Sequence, residues 1–258
     1  MTTAAARPRR RARRGEGELL RAEILTAARE LLAEAQDADA VSVRAVAERV
    51  GVSTPSIYLH FADKQALLDA VCELVFTELD ARMQAAAATT SDPFDGLRLR
   101  GLAYAEFALA NPEQYRLAMM RMPALHGEFD KNTYGPFSAE DIVAGPTYHH
   151  LIDAVQSCID VGVFAPGTDP DVIATSLWAA THGAVSLCLA KPGLVGDDAL
   201  ALCEMVIENA GLGAALSSHI GHPHDEPDAH GHEGMSEGLA LLLRTTAQIA
   251  AMKPPTAS

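Results

Sequence analysis

Between Val50 and Phe61 the chain reads VGVSTPSIYLHF. Thr54, Ser56, Tyr58 and His60 bring two hydroxyls, a phenol and an imidazole into seven residues. Each of these groups can donate and accept a hydrogen bond, which suits contact with base edges and phosphate oxygens. A second concentration lies near the C-terminal end, where His219, His222, His224, His230 and His232 alternate with Asp225, Glu226, Asp228 and Glu233. Imidazole and carboxylate at short spacing could hold Zn²⁺, Ni²⁺ or Cu²⁺. That spacing matches no closed site, and the Pro and Gly content reads as a solvated linker, so no metal ligand is assigned. The chain has no G-x-S-x-G, no H-E-x-x-H, no P-loop and no G-x-G-x-x-G opening a βαβ unit. The expectation is a protein that binds, not an enzyme, and one without a cofactor.

The elements that must position the first group are helices. Leu20, Ile24, Ala27, Ala28, Leu31 and Leu32 recur at helical spacing from about Glu16 to Glu34. Ser42 is an N-cap for a second helix running to about Arg49, with Val43, Val46, Ala47 and Val50 inward. Gly51 ends it, Ser53 caps a short third helix and Pro55 fits that helix's first turn. Ala47 leaves room for the third helix to cross, and Val50, Val52 and Ile57 must bury to fix the crossing. Two helices joined by a tight glycine turn and braced by a preceding helix form a helix-turn-helix. A fourth helix follows Asp63 as far as the segment Thr89–Pro93, with Leu67, Leu68, Val71, Val75, Leu79 and Met83 inward. Further helices are expected at about 94–109, 112–121, 138–163, 170–190 and 197–216, with Gly145-Pro146 able to split the third of these. An amphipathic stretch occupies 235–251.

Alanine and leucine dominate, aromatics make up 5% of the chain and β-branched runs are absent, so the fold class expected is all-α. The four cysteines, Cys72, Cys158, Cys188 and Cys203, are widely spaced and read as buried, reduced fillers. No apolar stretch is judged long enough to span a membrane, and the Arg-rich start lacks a signal-peptide core, so a soluble cytoplasmic chain with no membrane partner is expected. The net charge of −14 is unevenly spread. Residues 1–70 hold 11 Lys and Arg against 10 Asp and Glu, whereas residues 71–258 hold 9 against 24. Arg7, Arg9, Arg10, Arg11, Arg13 and Arg14 form a block without an acid, suiting a basic arm for a polyanion beside an acidic body.

The run VAERVGVSTPSIYLHFADKQALL, Val46–Leu68, resembles the signature of the tetracycline-repressor (TetR) family of one-component regulators. The resemblance rests on Ala47, Gly51, Val52, Ser53, Ile57, Tyr58, His60, Phe61, Lys64 and Leu67. The commoner family version carries Gly where this chain has Pro55, which stiffens the first turn and bears on which bases Thr54 and Ser56 face. More weakly, Trp178-x-x-x-His182-Gly183 resembles the tryptophan–histidine–glycine (WHG) motif of one subgroup. The resemblance implies a sequence-specific DNA-binding regulator, a ligand-responsive repressor acting as a homodimer on a near-palindromic operator of double-stranded DNA. It implies that Thr54, Pro55, Ser56, Tyr58 and His60, beside Ser53, lie in or next to the major groove. Ser42 and Lys64 would then meet phosphates at helix N-termini, and Arg44 a base or a phosphate. Packing against the first helix is the competing role for Tyr58, and Phe61 is core.

The division expected is a disordered basic arm at 1–15, a helix-turn-helix domain at 16–62, an effector-binding and dimerisation domain at 63–216, and a His-rich loop with a terminal helix at 217–258. Phe107, Met119, Met122, Tyr148, His149, Trp178 and His182 are candidates for lining a pocket for a small apolar or amphipathic effector. Core packing is the competing role for each. The helices at 170–190 and 197–216 resemble the pair that dimerises in this family, with Ala179, Ala180, Gly183 and Ala184 allowing close approach. The alternative function is a metal-responsive regulator that uses the His-rich tail. If the basic arm follows the phosphate backbone, deleting residues 1–14 should weaken binding to all DNA sequences. The slope of log K against log salt should also flatten by about 0.9 for each phosphate that the arm no longer neutralises. An unchanged slope, measured by fluorescence anisotropy, makes the arm a passive tail.

Overall fold

A computed structural model describes residues 16–35, 41–120, 145–195 and 198–220. The basic arm, the loop at 36–40, most of the His-rich loop and the 235–251 stretch lie outside those residues. Among the described residues every regular element is helical and none is a strand, so the fold is all-α.

The chain divides into two compact units. The first comprises Met1–Ala86 and Ala103–His149, the second Ala87–Leu102 and His150–Ser258. In the first unit, α1 (Glu16–Ala35) packs on α2 (Val43–Val50), which packs on α3 (Thr54–Tyr58). Ile24, Ala28 and Leu32 of α1, Val46 and Ala47 of α2, and Ile57 of α3 are buried together with Phe61. The long α4 (Lys64–Ala87) buries Leu67, Leu68, Val71, Val75 and Leu79 at three- and four-residue steps. Its start is capped by Asp63, whose carboxylate accepts from the Ala66 amide at 2.8 Å.

Helix α5 (Pro93–Ala110) starts at Asp92, whose Oδ1 accepts from the Phe94 amide at 2.9 Å. The single helix expected at 112–121 is instead α6 (Pro112–Tyr115) followed by a π-turn, Arg116–Met120. The helix expected from 138 begins at Pro146 as α7 (Pro146–Asp160), and residues 138–144 lie outside the described residues. Proline is suited to a first helical turn because it has no amide hydrogen to leave unpaired. At the far end of α7, Gly162 takes a left-handed φ of 82°. The amides of Val163 and Gly162 can then reach back to the carbonyls of Cys158 and Ile159, both at 2.9 Å.

In the second unit, α8 (Pro170–Ala190) opens on Asp169, which accepts from the Asp171 amide at 2.9 Å. A short α9 (Pro192–Val195) links it to α10 (Ala199–Ile220), which extends past the expected end near residue 216. Leu97, Val155, Cys158, Phe164 and Ala174 form the core, with the Phe94 ring edge-on to Phe164 at 6.3 Å. One expectation is overturned here. By length and composition, Pro170–Ala190 and Ala199–His219 are each apolar enough to cross a membrane. The polar residues of α8 from Val172 onward are threonines, serines and one histidine, which interrupt the hydrophobicity without adding formal charge.

A polar network ties three helices of the first unit together. The Arg29 guanidinium donates to Gln114 Oε1 at 3.1 and 2.8 Å and to Glu78 Oε2 at 2.6 Å. Glu78 also accepts from Arg82, whose guanidinium lies 5.3 Å from the centroid of the Phe107 ring. Burial works to raise the pKa of Glu78, but the hydrogen bonds and charges of Arg29 and Arg82 outweigh it and hold the carboxyl below its usual value. A depressed carboxylate pKa stabilises the fold fully above the unfolded value of about 4.3, and this contribution is lost as pH falls through the folded value. The Arg29 and Glu78 side chains are 28% and 31% exposed, so solvent screens the pair only in part. Arg29→Met should cost about 1–3 kcal/mol in urea unfolding at pH 7. The difference between wild type and Glu78→Gln should shrink towards pH 3, and a difference independent of pH would show that the ion pair contributes nothing.

Candidate nucleic-acid interface

The interface is built on a turn. Gly51 ends α2 with φ 76° and ψ 33°, a conformation open to glycine at little cost. The Val52 amide then donates to the Ala47 carbonyl at 3.0 Å and the Gly51 amide to the Glu48 carbonyl at 3.3 Å. Two otherwise unmet carbonyls at the end of α2 are satisfied while the chain turns into α3. Ion pairs of Arg49 with Glu30 at 3.1 Å and Glu34 at 2.6 Å tie α2 to α1, so the turn rests on a braced helix.

Ser42 is the N-cap of α2, and its Oγ accepts from the Ala45 amide at 3.1 Å. The hydroxyl hydrogen is not consumed by that bond and can be donated outward. Arg44 lies on the surface beside Glu48, at 2.9 Å, with 83% of its side chain exposed. Ser53 stands at the N-cap of α3 but makes no side-chain cap; its hydroxyl pairs with that of Ser56 at 2.8 Å. Competition from a second hydroxyl one turn away explains why the expected cap bond is missing. Thr54 and Ser56 are half-buried and Pro55 is exposed.

Tyr58 is 50% exposed, so its ring is not enclosed by the first helix. His60 is half-buried, and a methyl group placed on Gly17 would lie 4.0 Å from its ring, so it sits beside the start of α1. Phe61 is core, as expected, with the Arg21 guanidinium over its ring at 5.2 Å. Lys64 is the first residue of α4, where the helix dipole disfavours a cation and favours an anion beside it. Sequence reasoning missed Leu59, which is 84% exposed between Tyr58 and His60. Its signal was present: Leu59 falls outside the inward pair Ile57 and Phe61, and an exposed leucine there can meet a thymine methyl or a sugar.

The effector candidates are divided. Phe107, Met119, Tyr148 and His149 belong to the first unit, Trp178 and His182 to the second. Phe107 and Tyr148 are buried, Met119 is half-buried, and Met122 lies outside the described residues. His149 is exposed, its Nδ1 3.0 Å from the Gly145 carbonyl oxygen. The Trp178 and His182 rings lie 6.2 Å apart on one face of α8, and burial pushes the His182 imidazole below its usual pKa, leaving it neutral at pH 7. Among the described residues no three His, Cys, Asp or Glu side chains come together as a metal site. His222, His224, His230 and His232 lie outside those residues.

Residues 24–71 match the bacterial regulatory proteins of the tetR family, and residues 97–210 match a tetracyclin repressor-like C-terminal domain. Over 55 residues the chain is 44% identical to the tetracycline repressor protein class A from transposon 1721 of Escherichia coli. That stretch covers 21% of this chain and 25% of the repressor, so the match spans about a quarter of that relative. A protein of unknown function from Rhodococcus sp. RHA1 is similar at 28% identity, with a TM-score of 0.62 over 76% of this chain and 95% of that one. The regulator FadR from Bacillus subtilis, solved in complex with stearoyl-CoA, shares the fold at 18% identity. Its TM-score is 0.60 over 74% of this chain and 98% of its own. The chain thus carries an N-terminal domain of the tetR family of bacterial regulatory proteins, followed by a tetracyclin repressor-like C-terminal domain.

Proposed function

We propose that the chain is a sequence-specific DNA-binding regulator, a ligand-responsive repressor acting as a homodimer on a near-palindromic operator. The observation that carries this reading is the α2–Gly51–α3 turn inside the region matching the family's N-terminal domain. The DNA-facing groups are Ser42, Arg44, Ser53, Thr54, Pro55, Ser56, Tyr58, His60 and Lys64, to which Leu59 is added. The chain acts by occupying DNA, not by catalysis. The resemblance of Trp178, His182 and Gly183 to the WHG subgroup belongs to the same reading.

The dimer is supported by α8 and α10. Val172, Ser176, Ala179, Gly183 and Leu187 recur at three- and four-residue steps on α8, and all are exposed. A methyl group added to Gly183 would meet nothing within 4 Å, so its bare backbone faces outward, whereas Ala184 faces the core. On α10, Met205, Leu212 and Leu216 share one exposed face. A face this apolar needs a cover, and a second copy of the same two helices supplies a self-complementary one. Effector binding in the body then favours one separation of the two heads over another, which is all that coupling to DNA requires. The effector is a small apolar or amphipathic molecule.

The first test is a mobility shift on DNA flanking the coding region at increasing salt. A discrete shift that resists competitor is expected. Tyr58→Ala should weaken it about tenfold, and Lys64→Ala should reduce the salt slope by about 0.9. If neither substitution changes affinity or slope, the recognition surface lies elsewhere. For the dimer, Gly183→Arg keeps or raises local helix propensity while placing a charge on the outward stripe. Sedimentation velocity should show monomers, and operator affinity should fall by more than tenfold. A variant that remains dimeric removes α8 from the interface.

A further inference from the structure

The cysteines in the second unit are not used by the reading above, and two of them touch. Cys188, in the last turn of α8, and Cys203, in the second turn of α10, place their sulfurs 3.9 Å apart. Cys188 is 4% exposed and Cys203 0%, and the Cys188 thiol also approaches the Ala199 carbonyl at 3.7 Å. Cys72 and Cys158 are buried on other helices, Cys72 donating to the Leu117 carbonyl at 3.8 Å. Both members of the touching pair are free thiols.

We propose that Cys188 and Cys203 form an oxidisable pair, a reversible modification site at which hydrogen peroxide converts two thiols to a disulfide stapling α8 to α10. The geometry is the reason. Both residues belong to one helical hairpin and lie 15 positions apart, and the packing of α8 on α10 brings their sulfurs face to face. Closing from 3.9 Å to a bond of about 2.05 Å calls for side-chain rotation and a small adjustment of the helices. The chemistry balances in two steps. The Cys188 thiolate attacks one peroxide oxygen, the O–O bond breaks, and the departing hydroxide leaves as water once protonated. The Cys203 sulfur then attacks the resulting sulfenic acid, the S–O bond breaks, and the Cys203 proton leaves with the hydroxyl as a second water. Two thiols lose two protons and two electrons, and one peroxide becomes two waters.

The order of the steps follows from the surroundings. Burial, together with the neighbouring Cys188 sulfur, pushes the Cys203 thiol up to about 12, so Cys203 keeps its proton and serves as the resolving partner. A disulfide carries no charge, so burial does not penalise the product as it penalises a thiolate.

The test uses the full chain. Protein treated with hydrogen peroxide is denatured, its free thiols are alkylated, and its peptides are mapped by mass spectrometry. The expected result is one linkage, Cys188 to Cys203, with a loss of about 2 Da per chain that dithiothreitol reverses. Cys72 and Cys158 should be recovered alkylated. The oxidised protein should melt higher by on the order of 5 °C, because the crosslink restricts the unfolded chain. Cys188→Ala should abolish both the linkage and the shift, and Cys72→Ala should keep them. Linkage to Cys72 or Cys158, a crosslink between chains, or sulfinic acid at Cys188 without a linkage overturns the proposal. So do four free thiols in a sample whose methionines have oxidised. The wild-type map needs no variant to fold and no operator, so its outcome is separate from that of the DNA-binding reading.

Discussion

One left-handed residue sets the geometry on which the recognition surface depends. Between α2 and α3 the backbone must reverse within three residues, and the reversal is closed by amide donors reaching back over Gly51 to Ala47 and Glu48. With that closure made, Ile57 and Phe61 enter the core under α1, and the polar and aromatic residues between them are left at or near the surface. A side chain at position 51 would have to carry the same positive φ at a steric cost of roughly 1–2 kcal/mol. The turn is thus a backbone requirement first, and what it exposes is a consequence.

The braces on that turn are electrostatic as well as apolar. Arg49 reaches two glutamates of α1, Glu30 and Glu34, which joins α2 to α1 on its exposed side. Arg29, one turn before Leu32, reaches Gln114 and Glu78 and joins α1 to α4 and α6. The network is more than a surface ornament because Gln114 is 8% exposed and its amide oxygen accepts two guanidinium bonds. Losing either partner would leave a polar group poorly solvated, which costs more than the bond itself contributes. The π-turn Arg116–Met120, a backbone irregularity, begins two residues after Gln114, which anchors α1.

The second unit follows a different logic. Its helices α8 and α10 are apolar on the faces they share and also on faces they do not. The core of Leu97, Val155, Cys158, Phe164 and Ala174 consumes one side only. On the other side small residues, Ala179 and Gly183, are interleaved with larger ones, Val172 and Leu187, a pattern that lets helix axes come close without a polar gap.

Much of this was legible in the amino-acid sequence because local rules govern it. Helix periodicity, the cap at Ser42, the helix start at Asp63, and the glycine at position 51 depend on neighbours within four residues, and each is written in the order of the chain. Other features depended on groups far apart in sequence. The helix expected at 112–121 divided into a short α-turn and a π-turn, next to the contact of Gln114 with Arg29 85 positions away. The split of the pocket candidates between two units was likewise decided by packing. Charge counting failed for α8, since a run without ionised groups is defined by what is absent, and uncharged threonine, serine and histidine pass unnoticed. The contact of Cys188 with Cys203 and the reach of Arg29 across 85 positions to Gln114 have no local signature at all. A side chain's partner across the core is chosen by the summed packing of whole helices, so the sequence determined the helices and their turns, and the tertiary structure alone decided which of their faces and atoms meet.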